Sequence, residues 1–133
     1  MYRIFDTSVW IGYFNGVKDQ RTDFLDYCLE KDQVCMIGII VLEVLQGVKI
    51  DSEYDSIKSH FKSLPSLPAP TFELYDGAAQ LYRALRKKGI TIRKANDCLI
   101  AHYCVHFDIE LCHNDIDFDH IAENTSLRIW KPF

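Results

Sequence analysis

The residues of this chain with the clearest capacity for chemistry are its acids. Asp115, Asp117 and Asp119 take alternate positions in "ELCHNDIDFDHIA", residues 110 to 122, directly behind an apolar run. Asp6 closes the run "YRIF", Glu43 interrupts "GIIVLEVLQGV", and Asp97 heads "CLIAHYCVHF". Carboxylates crowded into one place repel each other unless a cation neutralises them, and oxygen-only donor sets select Mg²⁺ or Mn²⁺ over zinc or copper. The chemistry on offer is therefore that of a divalent ion, provided the fold gathers these side chains.

What must gather them is legible as alternating elements. "YRIF" reads as a short strand ending at Asp6, and "DTSVWIGYF" opens a helix with Thr7 or Ser8 as hydroxyl caps. "RTDFLDYCLEKD" places Phe24, Leu25, Cys28 and Leu29 on one helical face, and "VCMI" follows as a second strand. "GIIVLEVLQGV" and "EYDSIKSHFKSL" are helical, while "PSLPAP" has room for at most a brief edge strand because proline donates no ladder bond. Residues 71 to 88 carry the strongest helical period, and 98 to 107 form a helix without Asp, Glu, Lys or Arg, hence buried on most sides. "DIELC" is a strand, "FDHIAEN" a short helix and "SLRIW" a last strand. Strands alternating with helices imply an α/β fold, a three-layer α/β/α sandwich around a mostly parallel sheet of about five strands, in a single domain spanning 1–133.

In such a sheet, groups at the carboxyl ends of strands converge on one crevice. Asp6 and Asp115 follow two strands, and Glu43 and Asp97 are expected in the first turns of helices leaving the same edge, where helix N-termini favour negative charge. Each acid also has a plainer reading. Asp97 and Asp6 suit helix caps, Glu43 suits a solvated stripe with Gln46, and Asp115, Asp117 and Asp119 suit turns.

Composition excludes several classes. The 133 residues are 48% hydrophobic and 26% charged, which is neither disordered nor fibrous. Apolar runs fall far short of the roughly twenty residues a membrane span needs, and Asp6 sits where a signal peptide requires apolar residues, so the expected location is the cytoplasm. The net charge of −4 argues against a polyanionic partner only until the six acids above are set aside. The remainder then holds 15 basic residues against 13 acidic, 19 less these six. Five cysteines without CxxC spacing read as reduced, buried thiols. Cys98, His102 and His106 share a helical face but span about 12 Å, too far for one zinc ion.

Together "FDTSVWIGYFNG", Glu43 in "VLEVLQGV", "TIRKANDCLIAHYC" and "LCHNDIDFDHIA" resemble a PIN domain, specifically the toxin of a bacterial VapBC-type toxin-antitoxin pair. The resemblance covers essentially the whole chain. It implies a homodimeric endoribonuclease dependent on Mg²⁺ or Mn²⁺ and held inactive by a VapB-like antitoxin. It assigns Asp6, Glu43, Asp97 and Asp115 to the catalytic metal-binding set and adds Asp117 as a further acid. RNA contacts are expected from Thr7, Arg86, Arg93 and Lys94. One departure stands out: the family often has Thr or Ser two residues before the acid matched by Asp115, and here that residue is His113. Asp119 lies outside the usual set.

Two rival readings remain in view. A phosphoacceptor signalling domain would show an acid pair after the first strand and a lysine ending the last, whereas this chain has "FDTS" and "RIWKPF". A non-catalytic PIN-like dimerisation or partner-binding module would have lost an acid, and none is lost. The homodimer is further suggested by Trp10, Tyr13, Phe14, Tyr75 and Tyr82 on helices expected at the surface.

Overall fold

The computed structural model describes residues 1–132. Two three-residue strands, β1 (Arg3–Phe5) and β2 (Glu110–Cys112), pair in parallel with Phe5 opposite Cys112. Single parallel bridges extend the ladder on both sides: Arg3 to Val34, Met36 to Ser66, and Leu111 to Ile129. The five strand positions are therefore ordered 66, 34–36, β1, β2, 129, all running the same way. The expected strands "VCMI" and "SLRIW" shrink to bridges, and the proline-flanked edge is a single one.

Among the described residues seven helices connect these positions: α1 (Thr7–Phe14), α2 (Gln20–Glu30), α3 (Gly38–Leu45), α4 (Asp51–Ser63), α5 (Phe72–Lys87), α6 (Ala95–His106) and α7 (Ile116–Glu123). The chain moves outward from β1 through α1 to α4, returns past β1 through α5 and α6 to β2, and moves outward again through α7. Right-handed crossovers then put α1–α4 on one face and α5–α7 on the other. Helix contacts divide the same way, α1 with α2 and α3, α3 with α4, and α6 with α5 and α7. Both faces of the sheet are thereby covered, and Ile4, Phe5, Leu111 and Cys112 are buried.

Caps and first turns agree with expectation only in part. Asp6, not Thr7 or Ser8, caps α1, accepting from the Ser8 amide. Helix α6 begins at Ala95 with Lys94 at its N-cap, so Asp97 lies inside the first turn, as expected, and its reading as a cap does not hold. Glu43 is the sixth residue of α3, beyond its first turn, because the helix starts at Gly38, immediately after the strand segment. The N-terminal dipole of α3 therefore does not act on Glu43.

Trp10 is fully buried, stacked on Phe14 at 5.7 Å and edge-on to Phe61 at 5.0 Å. It belongs to the core and not to a surface face. Tyr13, Phe14 and Tyr82 are half-buried against that core, while Tyr75 is exposed. Where α5 crosses α6, Gly77 lies so close to the His102 ring that a Cβ there would collide with it. His102 is thus packed against α5. All five cysteines are free and buried, and burial pushes the thiols of Cys98 up to about 11 and Cys112 up to about 12. Such thiols stay protonated and inert at neutral pH. No helix among the described residues is long and apolar enough to cross a membrane.

Candidate metal centre

The sheet brings Asp6 and Asp115 together because β1 and β2 are adjacent and end level. The Asp6 amide donates to the Cys112 carbonyl at 2.9 Å. From there α1 departs toward one face and the β2 chain continues toward α7 on the other, which opens a crevice between them. Helix α6 delivers Asp97 to that crevice. Carboxylate oxygens of Asp97, Asp115 and Asp117 lie within 4.8 Å of one another. Asp97 is only 5% exposed, and its pKa is pushed up to about 7 by burial first, then by the charges of Asp6 and Asp115, with Glu43 adding and Lys94 opposing. Asp6 and Glu43 thus act on the cluster through their charge, although they lie outside its tightest group.

The segment 113–119 explains why its acids alternate. The Asp115 amide donates to Nδ1 of His113 at 2.9 Å, and the Asp117 amide donates to Oδ1 of Asp115 at 3.0 Å. Each is a side chain accepting from the backbone two residues on, the turn that short polar side chains favour. Asp119 closes the set, its Oδ1 lying 3.1 Å from Nε2 of His113. Asn114 is pinned as well: its amide donates to Oγ of Ser8 at 3.2 Å, and that hydroxyl donates to Oδ2 of Asp6 at 2.7 Å. Arg21 donates from Nε to the His113 carbonyl. Burial pulls the His113 imidazole below its ordinary pKa, with Asp119 opposing.

Arg93 spans the outer rim. Its backbone amide and its Nε both donate to Oδ2 of Asp117, at 3.2 and 3.1 Å, and an Nη donates to Oδ1 of Asp115 at 2.9 Å. Two thirds of its side chain is nonetheless exposed. Thr7 directs its hydroxyl to Oε1 of Glu43 at 2.8 Å. Lys94 is exposed at the N-cap of α6. Arg86 lies over the Tyr82 ring near the end of α5, and no contact joins it to the acids among the described residues.

A divalent ion fits this arrangement. The available donors are carboxylate oxygens, the type hard cations prefer, and Asp97, raised toward neutrality by burial first and then by its neighbours' charges, is a carboxylate whose charged form a bound cation would favour. The plainer readings also hold in part, since Asp6 and Asp115 both cap helices. Capping uses one oxygen of each and leaves the charge in place. Ser8 and Arg21 escaped the reading of the sequence as supports of the site. The bonds of Arg21 to His113 and of Ser8 to Asn114 have no local signal, because they join residues about a hundred positions apart.

The chain belongs to the PIN domain family, whose model matches residues 3–124. It is 32% identical over 127 residues to the VapC ribonuclease Mb1587 of Mycobacterium bovis and to ribonuclease VapC11 of Mycobacterium tuberculosis, covering 94% of this chain and 95% of each relative. Among solved structures, it resembles VapBC2 from Rickettsia felis bound to a promoter DNA fragment, with TM-score 0.76, 21% identity, and coverage of 98% of this chain and 100% of that one. DNA-bound VapBC from Salmonella typhimurium matches with TM-score 0.78 and 17% identity over 98% of each chain. These two structural likenesses establish the fold.

Proposed function

We propose that this protein is a metal-dependent endoribonuclease, the toxin of a toxin-antitoxin pair. The observation that carries the reading is Asp97, a buried carboxylate held among Asp6, Glu43, Asp115 and Asp117 with its pKa raised to about 7. The relatives named as VapC ribonucleases, matched over nearly their whole length, support the same activity.

Asp6, Glu43, Asp97 and Asp115 would hold Mg²⁺ or Mn²⁺, with Asp117 contributing its free oxygen. A bound ion of this kind polarises a phosphoryl oxygen and lowers the pKa of a coordinated water. The chain's own residues supply position and charge. Thr7 fixes the rotamer of Glu43 and, at the crevice lip, stands where an RNA backbone would pass. Arg93, anchored by Asp117, keeps an exposed guanidinium edge for phosphate, and Lys94 and Arg86 extend the cationic approach. Single-stranded RNA suits a crevice of this kind, since the deep groove of an RNA helix does not admit side chains.

The partner is a VapB-like antitoxin. The pocket already accommodates a guanidinium, that of Arg93, and an arginine from an antitoxin would pair with the same carboxylates bidentately and compete with the ion. VapBC complexes among the structural neighbours support this partner. A second copy of the chain is proposed to cover the apolar face where Leu42, Phe72 and Tyr75 are exposed beside clefts lined by Ile39, Tyr82 and Leu99.

The deciding experiment follows cleavage of a single-stranded RNA by the purified chain with Mg²⁺, with Mn²⁺ and with EDTA. Cleavage that requires the ion and vanishes in Asp97→Asn supports the reading. Cleavage that persists in EDTA would remove the metal, and a wild type inert toward RNA under all three conditions would remove the nuclease.

A further inference from the structure

His113 is 4% exposed and stands two residues before Asp115, yet it is neither an acid nor at the rim. Its hydrogen bonds assign its tautomer. Nδ1 receives the Asp115 amide at 2.9 Å, and an amide can only donate, so Nδ1 carries no proton. The ring proton is then on Nε2 and is given to Oδ1 of Asp119 at 3.1 Å. Phe118 packs on the ring, with centroids 5.3 Å apart, and Arg21 holds the His113 carbonyl, so the imidazole has little freedom to turn.

We propose that His113 is a positioning residue for the metal centre: its Nδ1 fixes the backbone turn that aims the Asp115 carboxylate, and Asp119 holds the ring in the tautomer that makes this possible. The inference rests on the metal-centre reading of the acids. The three interactions form one line from the surface to the site. Asp119 accepts from the ring, the ring accepts from the Asp115 amide, and Asp115 in turn accepts from the Asp117 amide. Losing the Nδ1 acceptor leaves the Asp115 amide unpaired in a largely enclosed turn. That releases the dihedrals on which both Asp115 and Asp117 depend. A partner that orients a metal-binding group in this way commonly governs affinity for the ion by about ten- to a hundredfold.

Two substitutions separate positioning from mere filling of space. The side-chain oxygen of His113→Asn falls where Nδ1 stood and accepts from the amide two residues on, as Asn does in turns. His113→Gln reaches instead to the place of Nε2, keeping a donor for Asp119 but offering nothing at Nδ1. Mn²⁺ affinity is measured by calorimetry on both variants and the wild type, after circular dichroism has established folding. The expected result is a loss of about tenfold or more in His113→Gln, with most of it recovered in His113→Asn. Saturating Mn²⁺ should restore cleavage by the Gln variant with the KM for RNA unchanged, because His113 does not reach the substrate. A nitrogen-correlated NMR spectrum of the metal-free wild type should show the proton on Nε2. Equal Mn²⁺ affinity in the two variants, or a proton found on Nδ1, overturns the proposal. Should the Gln variant not fold, a tenfold loss in His113→Asn overturns it and near-wild-type affinity supports it. A wild type that binds no Mn²⁺ but shows the expected tautomer would instead remove the metal-centre reading, and the inference with it.

Discussion

Two regions of this molecule are built on opposite terms. Around Trp10, which is fully buried, the aromatic rings of α1 and α4 pack edge and face against one another. At the carboxyl edge of the sheet, burial and then the charges of neighbouring acids raise the pKa of Asp97 to about 7. The first region stabilises the fold and has no chemistry to perform. The second opposes the fold and is the place where chemistry is possible. Placing them on different elements lets one compensate the other, so a change in either should move stability and activity in different directions.

The most severe break of that contrast is Trp10→Ala, expected to cost about 3–5 kcal/mol in denaturant unfolding. Trp10→Phe sharpens it. The indole Nε1 is buried without a hydrogen-bond partner among the described residues, so removing it offsets part of the lost packing, and the net change should stay within about 1 kcal/mol. Cleavage per folded molecule should be preserved in the Phe variant.

Next in size is Asp97→Asn, expected to lower RNA cleavage by about a hundredfold or more, the scale on which one preorganised electrostatic group acts. The same variant should be more stable than wild type in EDTA at pH 8, by on the order of 1 kcal/mol. The sign follows from the pKa. Asp97 binds its proton more tightly folded than unfolded, so the wild type gains stability as pH falls from above 7 toward 4, and the variant does not. Thermal melts across that range should show the gap widest above pH 7 and closed near pH 4. A gap that widens on acidification would mean the carboxylates stabilise one another, and the contrast between the regions would fail.

The smallest expected effect is that of Arg86→Ala, remote from the acids and stacked on Tyr82. Stability should change by less than about 0.5 kcal/mol, while the salt dependence of RNA binding loses about one phosphate contact.

Much of this was readable from residue order. The alternation of strands and helices set the layers, and the acids that follow β1 and β2 had to meet once those strands were neighbours. Other features were not readable. Asp97 stood at the head of a charge-free run, yet the helix begins two residues earlier, since "KAN" is compatible with either helix or turn. Trp10 looked like a surface aromatic because α1 is apolar nearly all round, so no periodicity marked its inner face. The bonds of Arg93 to Asp115 and Asp117, of Arg21 to His113 and of Ser8 to Asn114 depend on tertiary approach and leave no local trace.

Arg93 also changes what it means for an ion to arrive. Its guanidinium is tied to the chain and cannot diffuse away, so the carboxylates of Asp115 and Asp117 face a resident cation at an effective concentration on the order of millimolar. Under the proposed metal-centre reading, loading would exchange one positive charge for another, and an ion that displaced Arg93 would turn that side chain outward, toward whatever phosphate lies at the rim.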